Sequence, residues 1–223
     1  MKIFIAIPAY NEGKAISKVI KSIKKEGYKN IVIADDCSKD NTYNEAKKAG
    51  AVVLRHFINR GAGAATKTAI DYALLNRAYI IITMDSDGQH DPKDIKNLIK
   101  PILDKKADVV IGSRLLNPKG MPWYRRFFNF GGNVVTFVLF GLWVTDTQSG
   151  FKAFTKEAAK KIQIKMDRFE FCSEIIGEIK KNKLRVAEIP IKVIYNEYSL
   201  SKGQNFMNGL KMIVKLIIRR LIK

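Results

Sequence analysis

The sequence predicts an α/β fold, a mostly parallel, Rossmann-like central sheet with helices on both faces over residues 1–205, and a basic amphipathic helix over residues 206–223. Three observations predict it. Strand and helix signals alternate through the first half of the chain. The strands are continuous apolar runs, the pattern of strands covered on both faces. Polar residues collect just after the strand ends, where ligands of open parallel sheets bind.

The elements follow in order. Residues 2–8 (KIFIAIP) form a short β-branched run, and residues 11–25 place Ile16, Val19, Ile20 and Ile23 at helical spacing before Gly27 stops the helix. Residues 30–36 are a second strand, and residues 41–49 a helix capped by Asn41 or Thr42. Residues 51–56 form a third strand, and residues 61–76 a helix with Ala65, Ala69, Tyr72 and Ala73 on one side. Residues 79–85 (YIIITMD) are a fourth strand, residues 92–103 a helix opened by proline, and residues 107–114 a fifth strand. Beyond it, the apolar stretch 127–144 is of marginal length for a membrane span. Asn129, Asn133 and its glycines favour a buried or interfacial helix instead. Residues 170–183 are a helix and 185–193 a strand. In the tail, Phe206, Leu210, Ile213, Ile217 and Leu221 form a stripe opposite Lys211, Lys215 and Arg219.

Composition narrows the function classes. The 223 residues are 47% hydrophobic, enough for a sizeable core, which excludes wholesale disorder. Cys37 and Cys172 show no CxxC spacing, so a reducing compartment without disulfides is expected. No charged n-region or cleavage site follows Met1, so no secretory signal is expected. A net charge of +19 attracts polyanions: nucleic acid, anionic lipid or phosphorylated substrates. A lysine-rich composition accounts for part of it, but residues 211–223 concentrate five cations and no acid.

Asp85-Ser86-Asp87-Gly88-Gln89 is the centre of the chemical reading. A strand ending in D-x-D sends two carboxylates to the same side, where they repel. A divalent cation resolves that repulsion, because Mg²⁺ takes one or two carboxylates plus substrate phosphates and water. The alternative is that these acids cap turns, as Asp91 does before Pro92. Arg114, Arg126 and Lys202 are candidates to neutralise phosphates. Asn59-Arg60-Gly61-Ala62-Gly63 resembles part of a dinucleotide fingerprint, but Thr66 occupies the third glycine position and a tight turn explains the glycines equally well. With only His56 and His90, a zinc site or a Ser-His-acid triad has little material.

Residues 7–12 (IPAYNE), 35–42 (DDCSKDNT), 85–90 (DSDGQH), 112–114 (GSR) and 146–151 (DTQSGF) occur in this order. Together they resemble the family 2 glycosyltransferases of the GT-A fold, which include dolichol-phosphate mannose synthases and bacterial polyprenyl-phosphate glycosyltransferases. The resemblance covers roughly residues 1–205. It implies that Pro8, Tyr10, Glu12 and Asp35 hold the nucleoside, with Asp36 close by and Ser86 in the donor set. It implies Asp85, Asp87 and Gln89 as ligands of Mg²⁺ or Mn²⁺ against the donor diphosphate. Asp87, Asp146 and Arg114 are the implied catalytic residues, with Asp146 near the reacting sugar. Arg114 and Lys202 would contact the donor, and Arg126 and Ser149 the acceptor phosphate. The segment 127–144 matches an amphipathic helix on the acceptor side. One departure stands out: Asn196 occupies a position where the mannose synthases carry arginine.

The expected reaction is transfer with inversion of a sugar from a GDP-mannose or UDP-glucose type donor to a polyprenyl phosphate. It would take place at the cytoplasmic side of the cell membrane, with the protein peripherally bound to the anionic lipid surface. An acceptor hydroxyl on an envelope glycan is the alternative, and it needs a base, for which Asp146 is the candidate. A nucleic-acid-binding protein is the alternative of a different class. The acids at the strand ends would repel a phosphate backbone, so no nucleic-acid partner is expected.

Overall fold

The computed structural model of the protein describes residues 1–118 and 121–194. Lys202, Asn196 and the amphipathic tail over 206–223 lie outside the described residues. The elements are β1 (Ile3–Ala9), α1 (Ile16–Lys25), β2 (Asn30–Asp35), α2 (Thr42–Lys48), β3 (Val52–Arg55), α3 (Ala62–Leu75) and β4 (Ile80–Thr83). A 3₁₀ turn (Pro92–Asp94) leads into α4 (Ile95–Leu103), followed by β5 (Val109–Ser113), α5 (Trp123–Phe140), β6 (Lys152–Thr155), α6 (Lys156–Lys161), α7 (Phe171–Lys181) and β7 (Val186–Pro190).

The seven strands among the described residues form one sheet in the order β3-β2-β1-β4-β6-β5-β7. Successive residues of each strand face opposite sides, so the continuous apolar runs divide between two cores. Ile5, Ile7, Ile31, Ile33, Ile80 and Ile82 pack under α1 and α4. Phe4, Ala6, Val32, Ala34 and Ile81 pack under α3 and α7. Helix α1 buries Ile16, Val19, Ile20 and Ile23, the stripe its spacing predicts. Each fully buried side chain of this size contributes roughly 1.5–3 kcal/mol of transfer free energy.

Three local features differ from the sequence reading. Helix α1 starts at Ile16 rather than near Asn11, because residues 11–13 are taken up by bonds to the β2–α2 loop. Neither Asn41 nor Thr42 caps α2 with its side chain; Asp40 Oδ1 accepts from Thr42 N at 3.0 Å instead. The larger difference is β6, a strand with no clear signal in the sequence. It pairs antiparallel with both β4 and β5 and separates them. Its four residues include a buried lysine, which breaks the apolar pattern that marks the other strands.

Strand β6 nevertheless builds the site. Because it runs opposite to β4 and β5, those two remain parallel to each other, and β5 delivers Ser113 and Arg114 to the same rim that β4 reaches. The loop entering β6, residues 146–151, arrives at that rim as well. On the other side, β1 pairs parallel with both β2 and β4, with Ala9 beside Asp35 and Ala6 beside Thr83. The strand order reverses between β1 and β4, which opens a crevice at their carboxyl ends.

Candidate active site

Five segments meet at this rim: residues 10–12 after β1, 35–42 from the end of β2, 85–90 after β4, 113–114 at the end of β5 and 146–151 before β6. The first two form a rigid floor. Asn11 N donates to Ser38 Oγ (2.9 Å), Lys39 N to Asn11 Oδ1 (2.8 Å), and Glu12 N to Thr42 Oγ1 (2.7 Å). Pro8 ends this side of β1 half-buried, Glu12 is buried, and the Tyr10 ring is 42% exposed over the crevice edge. Asp35 is fully buried. Its Oδ1 accepts from Ser38 N (3.1 Å), and its Oδ2 lies 3.3 Å from Arg55 Nε with no aligned hydrogen bond among the described residues.

Asp36 has a different task. Its carboxylate accepts from Arg60 N (2.9 Å) and Gly61 N (2.6 Å), and His56 Nδ1 lies 2.8 Å from Oδ1. It therefore holds the turn that begins α3. The same helix start is closed by Asp167, whose carbonyl accepts from Gly63 N (2.7 Å) and Ala64 N (3.2 Å). A Cβ on Gly63 would stand 2.0 Å from the Met166 carbonyl oxygen, so this glycine serves loop packing. The N–H groups that a dinucleotide fingerprint would offer to a pyrophosphate are already occupied here. That removes the dinucleotide-fingerprint reading of residues 59–63 and explains the glycines.

Asp85 and Asp87 present the contrast. The Asp85 side chain is 46% exposed, with Oδ2 2.9 Å from His90 Nε2. His90 is buried and stacked on Phe151, with ring centroids 5.0 Å apart, and its Nδ1 has no hydrogen-bond partner among the described residues. Gly150 lies against the other side of Asp85: a Cβ there would fall 2.1 Å from Oδ1. Desolvation works against the Asp85 charge, but the hydrogen bond and charge interaction with His90, then the charges of Arg114 and Lys152, outweigh it and hold the carboxyl below its ordinary value. Asp87 moves the other way. Desolvation first, then the charge of Asp85, and more weakly that of Glu12, raise it, against the opposing influence of His90 and Gln89. Gln89 bonds Asp87 twice, from its backbone N (2.9 Å) and its Nε2 (2.6 Å), and Ser86 between the two acids is buried.

The sequence reading expected Asp85, Asp87 and Gln89 to hold a divalent ion. Two adjacent carboxylates open to the crevice, one of them disfavoured as an anion by its neighbour, fit a cation that also takes diphosphate oxygens. Among the described residues, no group of three or more His, Cys, Asp or Glu side chains is gathered to hold a metal unaided. Two carboxylates fit Mg²⁺ or Mn²⁺ brought with a diphosphate; they do not fit a closed structural site.

Arg114 and Asp146 form a fork. Arg114 Nε and backbone N both donate to Asp146 Oδ2 (2.7 and 2.9 Å), and Nη2 donates to Oδ1 (2.8 Å). Asp146 is fully buried, and although burial alone would raise its pKa, Arg114's charge and hydrogen bonds hold it below the ordinary carboxyl value. With both oxygens engaged, Asp146 orients Arg114 and is a poor proton acceptor. Asn133 of α5 secures the loop around it, donating to Thr145 O (2.5 Å) and accepting from Thr147 N (3.0 Å). Arg126 bonds the carbonyls of Met121 (3.2 Å) and Pro118 (2.7 Å), holding the segment before α5. Ser149 is fully buried, and its Oγ accepts from Phe151 N (3.3 Å).

The sequence reading gave no site role to four residues that shape this site: His90, Asn133, Gly150 and Lys152. The glycine and the lysine follow from β6, whose position no apolar pattern revealed. His90 was legible as a neighbour of the D-x-D pair but carried no signal of its contact with Asp85.

The family model described as glycosyl transferase family 2 matches residues 4–163. The chain belongs to glycosyl transferase family 2. A dolichyl-phosphate N-acetylglucosaminyltransferase of Methanococcus voltae that uses UDP-N-acetylglucosamine is 40% identical over 99% of this chain and 97% of its own length. An uncharacterised protein of Methanocaldococcus jannaschii is 49% identical over 99% of this chain and 93% of its own. The polyprenol monophosphomannose synthase of Mycolicibacterium smegmatis is 26% identical over 96% of this chain and 86% of its own length. Among solved structures, glucosyl-3-phosphoglycerate synthase from Mycobacterium tuberculosis with phosphoglyceric acid superposes with a TM-score of 0.76 at 18% identity, over 99% of this chain and 79% of that one. The same enzyme with Mn²⁺ and UDP-glucose gives 0.72 at 17% identity, over 98% and 78%. This family 2 glycosyltransferase thus has the GT-A fold, and its D-x-D pair stands at the carboxyl rim of the sheet.

Proposed function

We propose that the protein transfers a sugar from a nucleoside diphosphate donor to a polyprenyl phosphate, with Asp85 and Asp87 holding the donor's divalent metal, Mg²⁺ or Mn²⁺. The observation that carries this is the open, mutually repelling carboxylate pair beside Tyr10, Asp35 and Arg114. The full-length likeness to a UDP-N-acetylglucosamine–dolichyl-phosphate enzyme supports a UDP-sugar donor over GDP-mannose. When bound, the metal neutralises charge developing on the departing diphosphate. Tyr10 and Asp35 receive the nucleoside, Asp85 and Asp87 fix the diphosphate end, and Gln89 fixes Asp87. Arg114, locked by Asp146, places a guanidinium where the sugar and acceptor phosphate meet, with Arg126 and Ser149 on the acceptor side and Lys202 reaching the donor.

A lipid phosphate is already an anion and attacks without a base. That matches an Asp146 whose oxygens are both occupied, and it disfavours the hydroxyl acceptor. Helix α5 supplies the membrane side of the proposal. It buries Asn133 and Thr136 and turns Trp123, Phe127, Phe128, Phe130 and Val138 outward. No helix among the described residues is long and apolar enough to cross a membrane. An exposed aromatic face with Arg125 and Arg126 at its start suits insertion into the headgroup layer of an anionic bilayer. Asn133 ties that helix to the Asp146 loop and so links the proposed membrane face to Arg114. The tail over 206–223 adds a second basic contact in this scheme, peripheral to the cytoplasmic face of the cell membrane.

The test is a transfer assay with UDP-N-acetylglucosamine, UDP-glucose and GDP-mannose against polyprenyl phosphate and a free-hydroxyl glycan. A labelled lipid product from one donor, formed only with Mg²⁺ or Mn²⁺, is expected. Transfer to the hydroxyl alone would overturn the acceptor assignment. The paired change Phe127→Gln with Phe130→Gln should release the protein from anionic vesicles while leaving UDP binding intact; unchanged vesicle binding would remove α5 from the membrane contact.

A further inference from the structure

Among the described residues Lys152 is the one fully buried lysine, and it stands at this rim without a role in the transfer reaction. It sits in the middle of the sheet, beside Thr83 of β4 and Ile111 of β5. Its ammonium donates to the backbone carbonyls of Ser149 and, at 3.5 Å, Thr147. No carboxylate lies within ion-pairing distance of it among the described residues. Burying an ammonium this way is expensive unless nearby charges compensate. The compensation comes from two acids in the same pocket: the Lys152 charge acts on both Asp85 and Asp146.

We propose that Lys152 is a positioning residue: an internal cation that draws the 147–150 turn against Asp85 and sets the charge of the metal-binding rim. The inference rests on the proposed donor-metal role of Asp85 and Asp87. Two links carry it. Mechanically, Lys152 holds the Ser149 carbonyl, and the next residue is Gly150, whose backbone lies against the Asp85 carboxylate. Thr83 Oγ1 fixes the Gly150 carbonyl from the β4 side at 2.8 Å, so the turn is pinned at two successive peptides. Electrostatically, Asp85 and Asp146 are matched by Lys152 and Arg114. That leaves Asp87 and the incoming diphosphate to answer the metal's charge. A rim balanced in this way binds the ion weakly by itself and firmly with the nucleotide, and so releases both together after transfer.

Taking the lysine away leaves its carbonyls and the two acids uncompensated, which lowers stability in either case, whereas only a positioning role also moves Mn²⁺ affinity and kcat. A purely structural lysine therefore predicts a different result from a positioning one. The variants are Lys152→Met, which removes donor and charge, and Lys152→Gln, which keeps a donor and removes the charge. Mn²⁺ binding to the protein alone is read by electron paramagnetic resonance, unfolding by thermal melt, and kcat and donor KM by transfer assay. Without the like charge, both variants should bind Mn²⁺ roughly tenfold tighter. The melting midpoint should fall in both variants, and kcat should fall more in the Met variant than in the Gln variant. Wild-type Mn²⁺ affinity in a folded Gln variant would overturn the proposal, as would equal kcat values for wild type and both variants. If Lys152→Met does not fold, the Gln variant alone decides. Failure of the wild type to bind UDP with Mn²⁺ at all is a separate outcome, which would overturn the donor-metal role instead.

Discussion

Two sets of aspartates stand at the same sheet rim with opposite surroundings. Asp36 and Asp146 are buried and satisfied, one by two backbone N–H groups and His56, the other by the Arg114 fork. Asp85 and Asp87 face the crevice beside each other, and the charge of one makes ionising the other unfavourable. The first set spends its hydrogen-bonding capacity inside the protein and fixes its shape. The second leaves an electrostatic conflict standing that a ligand from outside can relieve. At this rim, completeness of satisfaction separates scaffold from site better than residue type or motif does.

The largest expected effect comes from opening the satisfied set. Asp146→Ala would strand Arg114, whose side chain is only 20% exposed, and should destabilise the protein by about 3–5 kcal/mol in chemical denaturation. A loss below about 1 kcal/mol would mean that the fork is not holding the site together. Asp36→Ala leaves two backbone donors and His56 Nδ1 unpaired and should cost about 3 kcal/mol, a fall in melting midpoint of roughly 6–12 °C.

The pH dependence sharpens the same comparison. The Asp146 carboxyl is held below its ordinary value in the folded protein. Its contribution is complete above the ordinary carboxyl range and is lost as pH falls through the lowered folded value. The folded carboxyl of Asp87 is raised, so its ionisation weakens the metal-free protein as pH climbs from the ordinary value through the raised one. Asp146→Asn should flatten the acid limb of a stability profile. Asp87→Asn should instead raise the metal-free melting midpoint at neutral pH by roughly 2–4 °C. Parallel behaviour of the two variants would erase the distinction. The smallest effect is expected away from the rim: Asp108 and Arg185 pair at the surface, and Asp108→Ala should cost about 0.2–1 kcal/mol, less at high salt.

The sequence made the parallel half of the fold legible because each of those strands is an apolar run ending in polar residues, and α1 shows its buried stripe at helical spacing. Strand β6 was not legible: four residues long, with Lys152 at its start, it has neither an apolar run nor a clean alternation. Its absence from the sequence reading also hid Gly150 and the turn around Asp85. The D-x-D pair was readable from two acids at a strand end. The occupied state of Asp146 was not, since its partner Arg114 lies 32 residues away and only the fold brings them together. Helix α5 could be located but not oriented, because its polar face looks inward and its aromatic face outward, the reverse of the pattern in α1.

The most direct test is calorimetric titration of UDP into the protein with and without Mn²⁺, for the wild type and for Asp87→Asn. Binding by the wild type that requires Mn²⁺, and its loss by at least tenfold in a folded Asp87→Asn variant, is the predicted result. Equal UDP affinity with and without the ion, or full Mn²⁺-dependent binding by the variant, would contradict the role given to this pair of aspartates.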